Sequence, residues 1–375
     1  MFYIGLMSGT SMDAIDTALV HFNDNSTKLI KYQEFPIAPE LRRGIRSLCV
    51  SSPLDEVSKY DSILGNQFAE AVLTILEKSG LEPGMIKAIG SHGQTILHLP
   101  DNDYPATVQI GDPNIIASKT GITTVSDFRR MDMAAGGQGA PLAPAFHEFL
   151  FRDFRTDRVV LNIGGIANIT VLAADKNSLI TGFDTGPGNG LLDDWNRLHN
   201  GTDMDKNSAW ASGGHSDKEL LKLFLADPYF RRQPPKSTGR DFFNLAWVQA
   251  MLLRRGGKLQ PPDIMATLFR LTIDNITDAI RRFAPKTREI ILCGGGARNR
   301  TLFNNLQDAM PDIHFETTAE KAYNPDAIEA MTFAWLAKQR LERKPGNLPS
   351  VTGARHHVLL GGVYRPFPVI DNTPS

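Results

Sequence analysis

The chain has 375 residues, which is enough for two domains of ordinary size. Its 40 Lys and Arg residues nearly balance its 41 Asp and Glu residues, so it lacks the basic surface that nucleic-acid binding requires. Two cysteines argue against a disulfide framework, and no apolar run approaches the roughly 18 residues of a membrane span. Because the N-terminus also lacks a basic, apolar leader, we expect a cytoplasmic protein with no membrane partner.

Short strands and glycine-rich turns alternate from the N-terminus onward. An apolar run at 2–6 and an alternating pattern at 15–21 predict two strands separated by a small, polar turn. The same strand, turn and strand recur at 158–172. Each copy is followed by a further strand that ends in glycine, at 86–93 and at 289–296. We therefore predict two halves with the same order of elements.

Helices are predicted where apolar residues recur with a period near 3.6, at 61–78, 261–283 and 326–343. Strands that alternate with helices are typical of an α/β protein. We place a first lobe at 1–128 together with the tail from about 346 to 375, and a second lobe at 129–345. The tail is rich in Pro and Gly, and we expect it to pack on the first lobe.

The two common phosphate-binding motifs are absent from the sequence. It has no G-x-x-x-x-G-K-[ST] and no G-x-G-x-x-G after a strand, so neither a P-loop nor a dinucleotide-binding site is predicted. A hairpin turn can instead direct backbone N–H groups and hydroxyls at an anion. The first turn supplies Gly9, Thr10, Ser11, Met12, Asp13, Ala14, Ile15 and Asp16, and the second supplies Gly164, Gly165 and Asn168. One such turn alone is equally an ordinary polar hairpin, but two that face each other could hold a triphosphate.

Two further groups could complete a nucleotide site. Gly294, Gly295 and Gly296 end a strand and open a helix, so their backbone could flank an adenosine or simply make a tight turn. Asp13 and Asp16 could hold Mg²⁺ through water, because Mg²⁺ prefers oxygen ligands and keeps several waters.

Asp184 is the candidate general base. It follows a predicted strand at 178–183, and the small residues after it leave room for a ligand. A helix that begins near Leu191 would direct its N-terminal amides at an anion. A carboxylate in this position can accept a proton from a nucleophile, although it could also form an Asx turn. His92 and His98 are poorly spaced for a metal site.

Motifs that keep their order along nearly the whole chain lie at 5–16, 91–95, 109–113, 127–129, 136–142, 162–168, 184–189, 237–240 and 293–299. Together they resemble the motifs of the anhydro-N-acetylmuramic acid kinases. The one departure is Ala14, where many members of that family have Gly, and it adds only a methyl group.

The resemblance implies the fold of the hexokinase, Hsp70 and actin superfamily, an α/β fold with two ribonuclease-H-like lobes around a central nucleotide cleft. It also implies a homodimeric kinase that uses ATP and Mg²⁺. Such an enzyme opens the bridge of 1,6-anhydro-N-acetylmuramic acid with water and phosphorylates O6 during peptidoglycan recycling. Asp184 would activate the water, and Arg129 or Arg130 and Glu329 would contact the sugar.

Two alternatives remain open at this point. The chain could be a kinase of the same superfamily that acts on an ordinary hexosamine. It could also be a non-enzymatic, ATP-gated binding protein, since Hsp70-like lobes allow that role.

Overall fold

A computed structural model describes residues 1–9, 12–23, 26–48 and 51–367. Thr10 and Ser11, two of the predicted nucleotide contacts, lie outside the described residues. The chain divides into two compact units, one of Met1–Phe146 with Ala327–Ser375 and one of His147–Asp326. Within the described ranges, no helix combines the length and the apolar character that crossing a membrane requires.

The strands, in chain order, are β1 (Phe2–Ser8), β2 (Ala14–Phe22), β3 (Thr27–Pro36), β4 (Ile86–Ser91), β5 (Gln94–Leu99), β6 (Ala106–Ile110), β7 (Thr124–Ser126), β8 (Arg158–Ile163), β9 (Ile166–Leu172), β10 (Thr181–Pro187), β11 (Glu289–Cys293), β12 (His314–Thr317) and β13 (Gly362–Tyr364). The helices are α1 (Pro39–Ser47), α2 (Leu54–Glu77), α3 (Pro113–Thr120), α4 (Phe128–Ala134), α5 (Ala143–Phe151), α6 (Gly190–Asn200), α7 (Ala209–Ser212), α8 (Lys218–Leu225), α9 (Pro228–Arg231), α10 (Leu245–Arg255), α11 (Pro261–Phe283), α12 (Arg300–Ala309), α13 (Ile328–Leu341) and α14 (Pro349–Thr352).

The main sheet of the first unit has the strand order β13-β7-β4-β1-β2-β3. Strands β1, β2 and β3 form an antiparallel meander, and β4 pairs parallel with β1. Ile4 and Leu6 of β1 are fully buried in a core that includes Leu64 and Phe68 of α2. Because side chains alternate along a strand, Gly5 between them points to the other face of the sheet.

The sheet of the second unit has the order β10-β9-β8-β11-β12. Again the first three strands form an antiparallel meander, and the fourth, β11, pairs parallel with the first, β8. This repeated order confirms both the internal repeat and the ribonuclease-H-like α/β fold class. One strand differs from its prediction: β10 runs from Thr181 to Pro187, so Asp184 lies within it and does not follow it. Pairing with β9 along this length overrides the weak strand propensity of the Gly and Pro residues.

Helix α13 explains why the first unit resumes at Ala327 and not at about 346, as predicted. A Cβ atom on Gly5 would lie 1.7 Å from the backbone oxygen of Ala330, and one on Gly90 would lie 1.9 Å from that of Phe333. The helix therefore rests directly on β1 and β4 and belongs to the first unit. The tail also packs there, as predicted, because β13 pairs antiparallel with β7.

The contact between Gly5 and α13 predicts that Gly5→Ala destabilises the first unit. A methyl group here would force the backbone of α13 away from β1, and overpacking of this kind costs about 1–3 kcal/mol or more. Thermal denaturation should show a lower unfolding midpoint. Gly84→Ala is the matched control, because a Cβ there meets no atom within 4 Å. Equal midpoints for the two variants would contradict the close packing.

Candidate active site

The turn between β1 and β2 carries the longest of the predicted nucleotide motifs. The backbone oxygen of Gly9 accepts a hydrogen bond from the N–H of Met12 at 3.1 Å, and Met12 has a φ of 53°. A Cβ on Gly9 would meet no atom within 4 Å, so there is open space beside the turn. Ile15, at the start of β2, is fully buried.

The two carboxylates of this turn have different surroundings. Asp16 accepts a hydrogen bond from the hydroxyl of Tyr32 on β3. The side chain of Asp13 is 62% exposed and forms an ion pair with Arg42 of α1. An exposed carboxylate suits a Mg²⁺ ion that keeps its waters, so Asp13 fits the predicted metal role better than Asp16.

Arg129 lies near the start of α4 and is held by two hydrogen bonds. Its Nε donates to Nε2 of His92 at 3.0 Å, and its Nη1 donates to the backbone oxygen of Gly139 at 3.4 Å. His92 is buried, and its Nδ1 donates to the backbone oxygen of Gly93 at 2.8 Å. Burial, assisted by the charge of Arg129, lowers the pKa of His92 to about 3. His92 therefore stays neutral and can accept the hydrogen bond from Arg129 at neutral pH.

The other two predicted sugar contacts lie in different environments. Glu329 lies in the first turn of α13. Burial lowers the pKa of Arg129 to about 10, and the negative charge of Glu329 opposes that decrease. The side chain of Arg130 is 60% exposed and pairs with Asp127 at 3.6 Å. The structure thus brings Arg129 and Glu329 within range of each other's charge and leaves Arg130 largely in solvent.

The glycine-rich loop that contains Gly139, whose backbone oxygen accepts a hydrogen bond from Arg129, is held in place by the buried carboxylate of Asp132. It accepts hydrogen bonds from the N–H of Gly139 at 2.8 Å, from Nδ2 of Asn347 at 2.7 Å and from the hydroxyl of Thr352 at 2.8 Å. These bonds connect the glycine-rich loop around Gly139 to the C-terminal segment. They also explain why residues 129–146 belong to the first unit.

In the second unit, the Gly164–Gly165 turn between β8 and β9 is anchored to the start of α6. The backbone oxygen of Gly165 accepts hydrogen bonds from the N–H groups of Gly188 and Gly190, both at 3.0 Å. That of Gly164 accepts from Asn189 at 2.8 Å. A Cβ on Gly188 would lie 2.4 Å from the Gly164 oxygen, so glycine is required for this close approach.

The Gly294–Gly296 turn lies against the end of β8. A Cβ on Gly294 would lie 2.2 Å from Oδ1 of Asn162, and one on Gly296 would lie 2.5 Å from Cβ of Ile163. A Cβ on Gly295 would meet nothing within 4 Å, which leaves space beside the turn. The parallel pairing of β8 with β11 therefore brings this turn and the Gly164–Gly165 turn to the same edge of the sheet.

Asp184 lies opposite Asn168 in the register of β9 and β10. Its Oδ2 accepts a hydrogen bond from the N–H of Thr238 at 3.0 Å, and its backbone N–H donates to the oxygen of Lys236 at 3.2 Å. The hydroxyl of Tyr229 donates to the backbone oxygen of Asp184 at 2.7 Å. Burial raises the pKa of the Asp184 carboxyl to about 6, while the Thr238 N–H and the charge of Lys236 partly counteract that rise.

Sequence reasoning missed His92, Lys236 and Tyr229. The spacing argument treats His92 only as a metal ligand, although its place directly after β4 and within the 91–95 motif is a usable signal. Lys236 immediately precedes the 237–240 motif. Tyr229 carries no motif, and its contact with Asp184 appears only in three dimensions.

The sequence model of the family described as anhydro-N-acetylmuramic acid kinase matches residues 1–366. The chain belongs to this family. An anhydro-N-acetylmuramic acid kinase of Coxiella burnetii (strain RSA 493 / Nine Mile phase I) is 52% identical over 364 residues, which cover 96% of this chain and 97% of that protein. One of Photobacterium profundum is 47% identical over 371 residues, with 96% and 98% covered. The resemblance inferred from the motifs is thereby confirmed.

Among solved structures, the activator of the 2-hydroxyisocaproyl-CoA dehydratase from Clostridium difficile with bound ADPNP is similar with a TM-score of 0.45 and 13% identity. That match covers 92% of this chain and 96% of the other.

The raised pKa of Asp184 predicts a pH-dependent cost to stability. The folded state holds the carboxyl proton up to about pH 6, whereas an unfolded Asp loses it near pH 3.8. The Asp184 carboxyl therefore contributes fully to the free energy of unfolding below pH 3.8, and this contribution is lost as the pH rises through 6. Asp184→Asn removes this loss. We expect its free energy of unfolding, relative to the unsubstituted chain, to increase by roughly 1–3 kcal/mol between pH 4 and pH 8.

Denaturant unfolding at both pH values would measure the effect. Asp308→Asn, which removes an exposed carboxylate on α12, is the control. A relative stability of Asp184→Asn that does not change with pH would show that Asp184 is not buried as described.

Proposed function

We infer that this protein is an ATP-dependent kinase that hydrolyses the bridge of 1,6-anhydro-N-acetylmuramic acid and phosphorylates O6. The products are N-acetylmuramic acid 6-phosphate and ADP, which returns a peptidoglycan fragment to metabolism. The observation that carries this function is the family match across residues 1–366. We further propose that the protein works in the cytoplasm and as a homodimer, as its family resemblance implies.

Asp184 is the base in this proposal. The oxygen of a water molecule forms a bond to the anomeric carbon, the bond from that carbon to the bridge oxygen breaks, and a proton passes from the water to Asp184. The bridge oxygen becomes O6 and attacks the γ-phosphorus, and ADP leaves with the electrons of the broken P–O bond. A carboxyl group with a pKa near 6 is largely ionised at neutral pH, yet it is a stronger base than an ordinary Asp.

The hydrogen bond from Thr238 to Oδ2 orients this base. Because Oδ2 is occupied by the Thr238 N–H, the other carboxylate oxygen is the one that we assign to the water. The bond joins two backbone segments, β10 and the 236–240 loop, so the carboxyl group is positioned before any substrate arrives.

The glycine-rich turns are the proposed contacts for ATP. In the first unit these are Gly9, Thr10, Ser11, Met12, Asp13, Ala14, Ile15 and Asp16, and in the second they are Gly164, Gly165, Asn168, Gly294, Gly295 and Gly296. Open space beside Gly9 and Gly295 supports this assignment, since phosphate binding to backbone N–H groups needs close approach. Mg²⁺, held by Asp13 through water, would neutralise phosphate charge when bound.

The sugar contacts that we propose are Arg129 and Glu329. Arg129 is favoured over Arg130 because His92 and Gly139 fix the position of its guanidinium group. An arginine that is already oriented loses less side-chain entropy when it binds a polar ligand. Arg130, which is exposed and paired with Asp127, stands as the weaker candidate.

Turnover of the anhydro sugar with ATP in ¹⁸O-water tests the function directly. Mass spectrometry should find the solvent oxygen on C1 of the product and none in the phosphate group. Asp184→Asn is the control, and we expect it to lose at least about 100-fold of turnover, the usual contribution of a general base, while ATP affinity is kept. ADP formation only with the open hexosamine would favour the hexosamine kinase. ATP binding without any phosphorylated sugar would favour the binding protein.

The different surroundings of the two neighbouring arginines predict different effects of removing them. Arg129→Ala should raise the KM for the anhydro sugar at least about tenfold, because it removes an oriented charged contact. Arg130→Ala is the matched control and should change that KM less than about threefold, since exposed ion pairs contribute little. The KM for ATP should not change in either variant. Equal effects on the sugar KM would contradict the assignment to Arg129.

A further inference from the structure

A cavity of about 400 Å³ lies in the second unit, beside the C-terminal half of α11. The side of α11 that carries Asp274 and Asp278 forms one wall, and Arg231 of α9, Thr185 of β10 and Lys236 contribute others. The volume is in the range of small-molecule sites. None of the residues that we assign to ATP or to the sugar lines this cavity, and Asp184 does not line it either.

Lys236 is the feature of the cavity that most needs an explanation. The residue is only 8% exposed, and its ammonium group makes one long hydrogen bond of 3.4 Å, to the backbone oxygen of Tyr229. Three aromatic rings also lie near it, with centroids at 4.7 Å for Tyr229, 5.6 Å for Phe183 and 6.0 Å for Phe283. Among the residues that the structure describes, no carboxylate lies within 4.0 Å of this nitrogen.

A buried ammonium group without a carboxylate partner is costly. The protein offers its three N–H groups a single long hydrogen bond. Burial accordingly lowers the pKa of Lys236 to about 8, and the charge of Arg282 contributes to the decrease, while the more distant charges of Asp278 and Asp184 oppose it. An anion in the cavity would supply the missing partner, since charge-assisted hydrogen bonds are among the strongest in proteins.

The other charges around the cavity leave an excess of positive charge. Asp278 is already paired with Arg282 at 3.1 Å, and Asp274 is paired with Arg270, outside the cavity lining, at 2.8 Å. Arg231 is exposed, and Arg281 donates one hydrogen bond to the backbone oxygen of Ala309 at 2.6 Å. The lining therefore carries Arg231, Lys236, Arg281 and Arg282 against only Asp274 and Asp278.

We propose that this cavity binds a small phosphate-bearing anion through Lys236, Arg231 and Arg281. A phosphate group offers several acceptor oxygens and more than one negative charge, which matches cations that approach from separate elements. Arginine and lysine are the side chains that bind phosphate best. The cavity has room for more than a bare phosphate ion, so the ligand is either inorganic phosphate or a sugar phosphate that carries the same group.

A ³¹P NMR titration with inorganic phosphate tests the proposal. Lys236→Met should bind phosphate at least fivefold more weakly than the unsubstituted chain. Lys258→Met, which removes an exposed lysine of the same unit outside the cavity, should bind as the unsubstituted chain does. Phosphate bound at the glycine-rich turns would be common to all three proteins, so the difference isolates the cavity. Equal binding by Lys236→Met would overturn the proposal.

Two further measurements keep the test decisive if Lys236→Met fails to fold. Arg231→Ala alters only an exposed side chain, and it should weaken phosphate binding at least twofold. In the unsubstituted chain, NMR of labelled lysine should show that phosphate raises the pKa of Lys236 from about 8, because a nearby anion favours the charged form. Unchanged binding in Arg231→Ala, or an unmoved pKa, would count against the site.

The source of the phosphate is decided by repeating the titration with glucosamine 6-phosphate. Tighter binding than that of inorganic phosphate, weakened in Lys236→Met, would assign the site to a sugar phosphate, and equal binding would assign it to phosphate alone. No binding of either would refute it. Because none of these measurements needs turnover, a failed kinase assay with intact phosphate binding would reject the proposed function and leave the cavity site standing.

Discussion

In both units the fourth strand of the sheet pairs parallel with the first, β4 with β1 and β11 with β8. Parallel neighbours end at the same edge, so the turns that follow them lie side by side. In the first unit this places His92 beside the β1–β2 turn, where its N–H donates to the backbone oxygen of Leu6 at 3.0 Å. In the second it places Gly294 against the end of β8. The candidate contacts with ATP and with the sugar depend on this pairing.

Three of the buried ionisable groups in the described parts of the chain, His92, Asp184 and Lys236, are each compensated differently. His92 is kept neutral, which lets it accept a hydrogen bond from Arg129 and fix that cation. One carboxylate oxygen of Asp184 accepts a hydrogen bond from a single backbone N–H, which reduces the rise in pKa caused by burial without cancelling it. Lys236 has aromatic rings and one backbone oxygen. The surroundings, more than the residue type, therefore decide which group is kept neutral, which carboxyl has a raised pKa and which ammonium group has no carboxylate in contact among the described residues.

Local pattern was sufficient where periodicity was strong: α11 begins and ends at the predicted residues, and β8 and β11 begin where the sequence predicts them. It failed where a distant contact decides. The strand that holds Asp184 is rich in Gly and Pro, and only its pairing with β9 makes it a strand. The unit boundary was misplaced because α13 lies on Gly5, more than 300 residues earlier in the chain. The contact of His92 with Arg129 spans 37 residues and has no local signature.

The 236–240 loop contacts both Asp184 and the cavity, because Thr238 donates a hydrogen bond to the Asp184 carboxylate and Lys236 lines the cavity. Burial alone would push the pKa of Asp184 higher, and the Thr238 N–H and the Lys236 charge restrain it near 6. At neutral pH such a group is ionised by roughly ten to one, yet it is about 100-fold more basic than a carboxyl group of ordinary pKa. Lys236 contributes to that restraint and also faces the cavity. A ligand that neutralises its charge would weaken the restraint, and the basicity of Asp184 would then depend on whether the cavity is filled.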